Sequence, residues 1–303
     1  MGALVQSFSM GWQGRCQASA RVRREWSPSC DDFVDWEILS MAKVVANGFE
    51  LYYESLGMGP PIVFLSGLGG DHRAFAVTQR QFSARFHTLA LDNRDVGRSD
   101  RASKPYNTAD MADDCAAWLR LVGVRNAAVV GHSLGGLVAQ ELTLRHRELV
   151  GRLILASTHV RANPWRRAVI ESWILLKERC DASEFARATM PWLVAPKFFR
   201  NDTQVEGLIR FADRNAWPQA PDAFARQARA AAHHDATERL AALRVPTLVL
   251  VGENDIINPP ETARELTDAI PAAMLKVFPG VGHLPHIEDG AAFRAAVEEF
   301  LAG

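Results

Sequence analysis

Short runs of almost uninterrupted apolar residues recur along this chain, each closed by glycine, proline or a polar turn. PIVFL, HTLAL, AAVVG, RLILA, TLVLV and MLKVF are such runs, and between or after them lie ADMADDCAAWLRLVG, LGGLVAQELTLRH, PPETARELTDAI and DGAAFRAAVEEFLAG, which have a helical period. A strand that is apolar on both faces must be covered on both faces. Strands of this kind alternating with amphipathic helices therefore predict an α/β fold, a mainly parallel central sheet with helices on either side. The first two strands differ: KVVANGFELYYE alternates around Asn47-Gly48, which predicts an antiparallel hairpin.

The alternation breaks once. Residues 158–243 carry no convincing strand and read as short helices separated by proline and Asn-Asp breaks. Trp165, Trp173, Trp192 and Trp217 lie here, half of the chain's 8 tryptophans. A helical insertion at one point of an α/β sheet is most economically a lid over the carboxyl ends of the strands, where open sheets bind ligands. The expected organisation is a core at 41–157 and 244–303 and a lid at 158–243. Residues 1–40 have no sustained period and are expected to be a dispensable extension, the fold beginning near Met41. The competing idea is an arm that packs through Trp26, Phe33, Trp36 and Ile38.

Composition removes several function classes. A net charge of −1 leaves no electrostatic footprint for nucleic acid or an anionic membrane surface. The longest apolar runs are strand-length, so no membrane span is expected. Cys16, Cys30, Cys115 and Cys180 form no CxxC pair, which disfavours a zinc knuckle or redox motif and fits reduced thiols in the cytoplasm. Neither a GxxxxGK[ST] nor a GxGxxG loop is present. A small-molecule substrate and a monomer or homodimer are expected.

The chemistry sits at the ends of the apolar runs. AAVVGHS leads into Gly131-His132-Ser133-Leu134-Gly135, and a helix follows at once. G-x-S-x-G between strand and helix is the setting of a nucleophile elbow, in which glycines relieve a strained turn and the helix N-terminus favours developing negative charge. A serine hydroxyl needs a base. His283, in PGVGHLPHIE directly after the last strand, is the predicted one. His286 completes an HxxH pair, but no third ligand has sensible spacing, so no metal is expected. The orienting acid should follow a strand between serine and histidine. VLVGENDIINPPE offers Asp255, with Glu253 nearer the strand end as the alternative, and Asn258-Pro259-Pro260-Glu261 reads as N-cap, proline at N1 and capping-box glutamate of the next helix. FLSGLGG follows an earlier strand, and the backbone N–H groups of Leu68 and Leu134 are the predicted oxyanion donors. In the lid, Trp192 and Phe198, with Leu193 and Phe199, are expected to wall the substrate; the alternative is that they form the lid's own core.

SGLGG, DNRDVGRS, GHSLGG, GENDIINP and GHLPHIE together resemble the α/β-hydrolase family, from about Met41 to the end of the chain. Asp95 stands where the family's Asp-x-Arg-Gly turn has glycine, and Ser66 where its oxyanion loop usually has histidine. TMPWLVAPKFF and HHDATERLAALRVPTLVLVGENDIINPP are similar to enol-lactonases and small serine esterases. The resemblance implies a serine hydrolase of carboxylic esters or lactones that works through an acyl-enzyme without a cofactor, with Ser133, His283 and Asp255 as its triad. Relatives acting on carbon–carbon or amide bonds share the framework. A small-molecule receptor with vestigial turnover is the reading from another class.

Overall fold

The computed structural model describes residues 40–303, so all but the last residue of the extension expected at 1–40 lies outside the described residues. Strand β1 (Ser40–Ala46) and β2 (Phe49–Leu56) form the expected antiparallel hairpin. Asn47 and Gly48 join them at φ 49° and 81°. Positive φ at both central residues is what a turn must adopt to match the right-handed twist of its strands.

The chain then runs through β3 (Pro61–Leu65), α1 (Ala76–Ser83), β4 (His87–Leu91), α2 (Thr108–Leu121), β5 (Ala127–His132), α3 (Leu134–Arg145) and β6 (Val150–Ala156). Four helices follow without an intervening strand: α4 (Pro164–Arg179), α5 (Ala182–Leu193), α6 (Asp202–Asp213) and α7 (Pro221–Ala232). An isolated bridge between Arg161 and Asp235 closes the base of this insertion. Then come β7 (Thr247–Gly252), α8 (Pro260–Ala269), β8 (Met274–Phe278), α9 (Pro285–Glu288) and α10 (Gly290–Ala302). The strands form one 8-stranded sheet in the order β1-β2-β4-β3-β5-β6-β7-β8, antiparallel at β1, β2 and β4 and parallel from β4 to β8.

The two faces of the sheet divide the apolar runs at the period of a strand. Val63 and Leu65 of β3 join Val129 of β5 in one core, with Trp118 of α2 and Leu137 of α3. Ile62 and Phe64, with Val130, point the other way onto Phe82 of α1 and Phe293 of α10. Alternation within an all-apolar strand is what lets one run serve two cores. Leu65 is fully buried, and Leu65→Ala at such a position costs about 2–5 kcal/mol. At the margin β8 alternates between exposed and half-buried residues before Phe278, as a strand covered on one side does.

The chain moves from β3 outward to β4 and then returns to the other side of β3 as β5. A crevice opens where the order reverses, beyond the carboxyl ends of β3 and β5. Among the described residues no helix is long and apolar enough to cross a membrane.

Candidate active site

Ser133 is the single residue between β5 and α3, and it stands at φ 52°, ψ −116°. A non-glycine residue at such angles is strained and persists only where its surroundings hold it. Its N–H donates to the Ala156 carbonyl at 2.9 Å, and its own carbonyl accepts from Thr158 Oγ1 at 2.8 Å. The flanking glycines are required by close approach. A Cβ on Gly131 would lie 2.4 Å from the Gly135 carbonyl oxygen, and one on Gly135 would lie 2.0 Å from that of Leu65.

The loop after β3 closes over this elbow. Gly70 N–H donates to the Gly67 carbonyl, Ser66 Oγ donates to the Asp71 carbonyl, and Gly69 N–H donates to Gln227 Oε1 of α7 at 2.9 Å. Ser66 therefore shapes the loop from within in place of the histidine seen in the family pattern. The N–H groups of Leu68 and Leu134 make no hydrogen bond among the described residues, and both residues line the cavity that contains Ser133.

The predicted base and acid meet. His283 Nδ1 lies 2.8 Å from Asp255 Oδ2, and both residues are buried. The other carboxylate oxygen, Oδ1, accepts from the N–H groups of Ile257 and Asn258, each at 2.9 Å. A carboxylate so pinned fixes the imidazole, with Nδ1–H donating to Asp255 and the lone pair on Nε2. The backbone of His283 is held on both sides: its N–H donates to Leu193 O at 3.0 Å and its carbonyl accepts from His132 Nε2 at 2.8 Å. Ser133 and His283 line the same two cavities. Glu253, the alternative acid, is exposed and accepts from the Gly280 N–H at 2.8 Å, on the turn after β8.

The neighbouring histidines have other surroundings. His286 stacks on Phe75 with ring centroids 4.6 Å apart, and burial together with the nearby His283 pushes its pKa down to about 3. His132, wedged between His283 and His286, is likewise held well below the ordinary histidine value by burial first and by those two rings next. Among the described residues the group with metal-ligand spacing is Asp71, His72 and Asp92. Internal contacts occupy it. Asp92 accepts from the N–H and Nδ1 of His72 and from the Arg98 N–H, and Asp71 pairs with Arg73.

Three cavities meet at Leu68. A narrow arm of about 30 Å³ runs from Ser133 past Trp173 and Ile170 to His159 and Arg166. A second, of about 130 Å³, lies between Ser133, His283, Trp173 and Leu193. The largest of the three, about 280 Å³, opens between α5, α6 and α7, with Phe185, Leu193, Phe211 and Phe224 on its walls. Lys177 lines it too, 4.9 Å from the Phe185 ring, and burial lowers the pKa of its ammonium.

Two sequence expectations are corrected here. Trp192 and Phe198 line none of these cavities. On α5 the walls come from Phe185, Thr189 and Leu193, spaced four apart on one helical stripe, and Trp192 is turned off that stripe against Trp165 at 6.0 Å. Phe198 is 6% exposed and packs with Met190, Val194 and Ile209 inside the insertion. Asn258 is also not a helix cap. Pro259 takes that position without a side-chain bond, while Asn258 Nδ2 donates to the Ser157 carbonyl at 2.7 Å. The sequence does not single out His159 and Arg166, and marks Trp173 only as one of the lid tryptophans, because nothing in WRRAVIESWILLKER or ASTHV marks which side chains turn toward the cleft.

Comparison with known proteins agrees with this architecture. The family described as alpha/beta hydrolase fold matches residues 60–290. A Caulobacter sp. (strain K31) protein named as a candidate carbamate hydrolase, RutD, is 28% identical over 260 residues, 84% of this chain and 96% of the relative. A thermophilic esterase from Thermogutta terrifontis, solved with malate bound, superposes with a TM-score of 0.78 at 27% identity, covering 87% of this chain and 98% of that one. The enol-lactonase from Burkholderia xenovorans LB400 gives 0.79 at 25% identity, covering 86% and 100%. Strand order, elbow and sequence match converge, and the chain belongs to the α/β-hydrolase fold family.

Proposed function

We propose that the protein is a serine hydrolase that cleaves carboxylic esters or lactones through an acyl-enzyme. The observation that carries this reading is the placement of Ser133 on a strained elbow in the same cavities as the Asp255-bound imidazole of His283, with two unengaged amides beside it. Ser133 Oγ attacks the substrate carbonyl while His283 Nε2 takes its proton. The Leu68 and Leu134 amides and the N-terminus of α3 stabilise the oxyanion. Collapse expels the alcohol, which takes the proton back from His283. Water then repeats the sequence on the acyl-enzyme and releases the acid. Asp255 keeps the ring in the required tautomer and stabilises the imidazolium.

The helices of the insertion serve as a lid whose apolar walls receive the substrate, and the likeness to an esterase and an enol-lactonase supports an ester or lactone carbonyl as the target. The likeness to a candidate carbamate hydrolase favours a second reading, in which the attacked carbonyl belongs to a carbamate and the same residues act. A panel of p-nitrophenyl esters of increasing chain length, run beside lactones and aryl carbamates, separates them. The first reading expects ester or lactone turnover to lead; turnover confined to carbamates selects the second, and no turnover of any substrate overturns both.

A further inference from the structure

The loop that carries the Leu68 N–H has little stiffness of its own. Of its residues Gly67, Leu68, Gly69 and Gly70, all but Leu68 are glycine, which restrains the backbone least. The Gly70 N–H closes these residues into a turn by donating to the Gly67 carbonyl at 3.0 Å. Gly69 stands at φ 75°, the left-handed angle that a type II turn requires at its third residue. This bond and the one from Ser66 Oγ to the Asp71 carbonyl are internal to the loop. Neither fixes where the turn stands relative to Ser133.

Among the described residues, one hydrogen bond reaches this turn from another element: the Gly69 N–H donates to Gln227 Oε1 on α7 at 2.9 Å. An N–H only donates, so the end of the amide that faces it is the oxygen. Gln219 Nε2, just ahead of α7, donates to the same oxygen at 3.3 Å. Gln227 Nε2 has no partner among the described residues, so the acceptor oxygen is the atom that makes the contacts. Gln227 is fully buried, and its oxygen has no water with which to exchange these bonds. Gly69 adjoins Leu68, whose own N–H is unengaged and whose side chain lines the cavity of Ser133.

We infer that Gln227 is a positioning residue for the reaction: its Oε1 holds the turn so that the Leu68 N–H stands where the oxyanion forms. This rests on the serine-hydrolase reading. Gln227 lines none of the three cavities and so acts through Leu68 rather than on the substrate. One half of the oxyanion site, the Leu134 N–H, is set by the elbow; the other is set by α7 of the insertion. Oxyanion donors work by being held in place before charge develops. Loosening this loop should therefore slow the steps that create an oxyanion and leave ground-state binding nearly as it is.

The test measures, on the full chain, hydrolysis of p-nitrophenyl butyrate and inhibition by a trifluoromethyl ketone of matched chain length. Ser133 Oγ adds to the ketone carbonyl, its proton passes to His283, and the carbonyl oxygen becomes an oxyanion in the same site. Gln227→Met keeps the length of the side chain and removes the acceptor. Its kcat should fall by about tenfold or more, part of the ~10²–10³ that losing a whole donor costs. KM should change only about two- to threefold, and affinity for the ketone should fall in parallel with kcat. Gln227→Glu, which keeps an oxygen at the same reach, should recover part of both. A folded Gln227→Met with kcat within about twofold of wild type overturns the inference. So does a loss of kcat without loss of ketone affinity, or a Gln227→Glu no better than Gln227→Met. If Gln227→Met does not fold, Gln227→Asn, which draws the same amide back by one methylene, is read by the same criteria. No ester turnover by the wild type removes the hydrolase reading and this inference with it; turnover that is indifferent to Gln227 removes this inference alone.

Discussion

The carboxyl end of the sheet and the helical insertion face each other across one cleft, yet they are built on different terms. On the sheet side almost every atom near Ser133 is fixed by backbone geometry. Glycines admit approaches that a Cβ would block, and the carboxylate of Asp255 is held by two N–H groups. On the insertion side the cleft is walled by side chains from α4, α5, α6 and α7, whose positions depend on how four helices pack. The sheet side is rigid because its strain has to be held. Most insertion side chains can be exchanged without disturbing it, the exceptions being Gln227, which holds the Gly69 N–H, and Arg226, which holds Asp95. Changes on the sheet side should therefore affect rate, and changes in the insertion should affect selectivity.

The largest effect expected is on the sheet side. Ser133→Ala should lower kcat by about 10⁴- to 10⁶-fold with the fold intact, and Asp255→Asn by about 10⁴-fold through loss of the productive tautomer. Glu253→Gln should stay within a few-fold of wild type, since its carboxylate faces the Gly280 turn. Ester kinetics on the three variants check this, and a Glu253 effect larger than that of Asp255 would reverse the assignment.

Protonation distinguishes stability from rate. His234, buried against Thr108 and Gln140, has its pKa pushed from 6.5 down to about 4, chiefly by burial. Between those values the unfolded chain takes up a proton that the folded chain refuses. This contribution is thus complete above pH 6.5 and is lost as pH falls toward 4, by roughly 3 kcal/mol in all. His286 acts with the same sign. Urea midpoints at pH 7 and pH 5 should show the decline, and His234→Gln should flatten it. A midpoint that does not change with pH contradicts the burial argument.

Asp95 joins the two regions. It sits at φ 71° where the family pattern has glycine, and its buried carboxylate takes both branches of the Arg226 guanidinium from α7 at 2.8 and 2.9 Å. The same carboxylate accepts from the Ala102 N–H. Replacing glycine has thus cost some backbone strain and gained a clamp between core loop and insertion. Asp95→Ala should destabilise by about 2–3 kcal/mol, less than the ~3–5 kcal/mol for breaking a fully buried pair, because Arg226 keeps Asp222. Asp95→Gly, which relieves the strain, should be less damaging than alanine in thermal unfolding.

The smallest effect falls on selectivity. Trp173→Ala, on the cavity wall, should shift the preferred acyl length by about tenfold in relative kcat/KM, whereas Trp192→Ala should leave the order of substrates unchanged. An equal shift from both would mean that the insertion moves as one body over the site.

The strands, the hairpin at Asn47-Gly48, the elbow at Ser133 and the strand-end loops holding Asp255 and His283 were legible in the sequence. Each rests on a local rule: alternation, positive φ, a glycine where backbones touch, a polar residue where an apolar run stops. The loss of the Asn258 cap was not legible, because a side chain offered to its own helix found another partner in the Ser157 carbonyl, just beyond β6 and distant in the chain. Nor could the sequence distinguish Leu193 from Trp192, adjacent residues of which one faces the cleft and the other faces Trp165. Sequence alone determined the fold, because period and backbone strain are properties of neighbouring residues. Which insertion side chains wall the cleft, and which partner Asn258 takes, were decided only in the tertiary structure, by the rotation of packed helices and by hydrogen-bond partners distant in the chain.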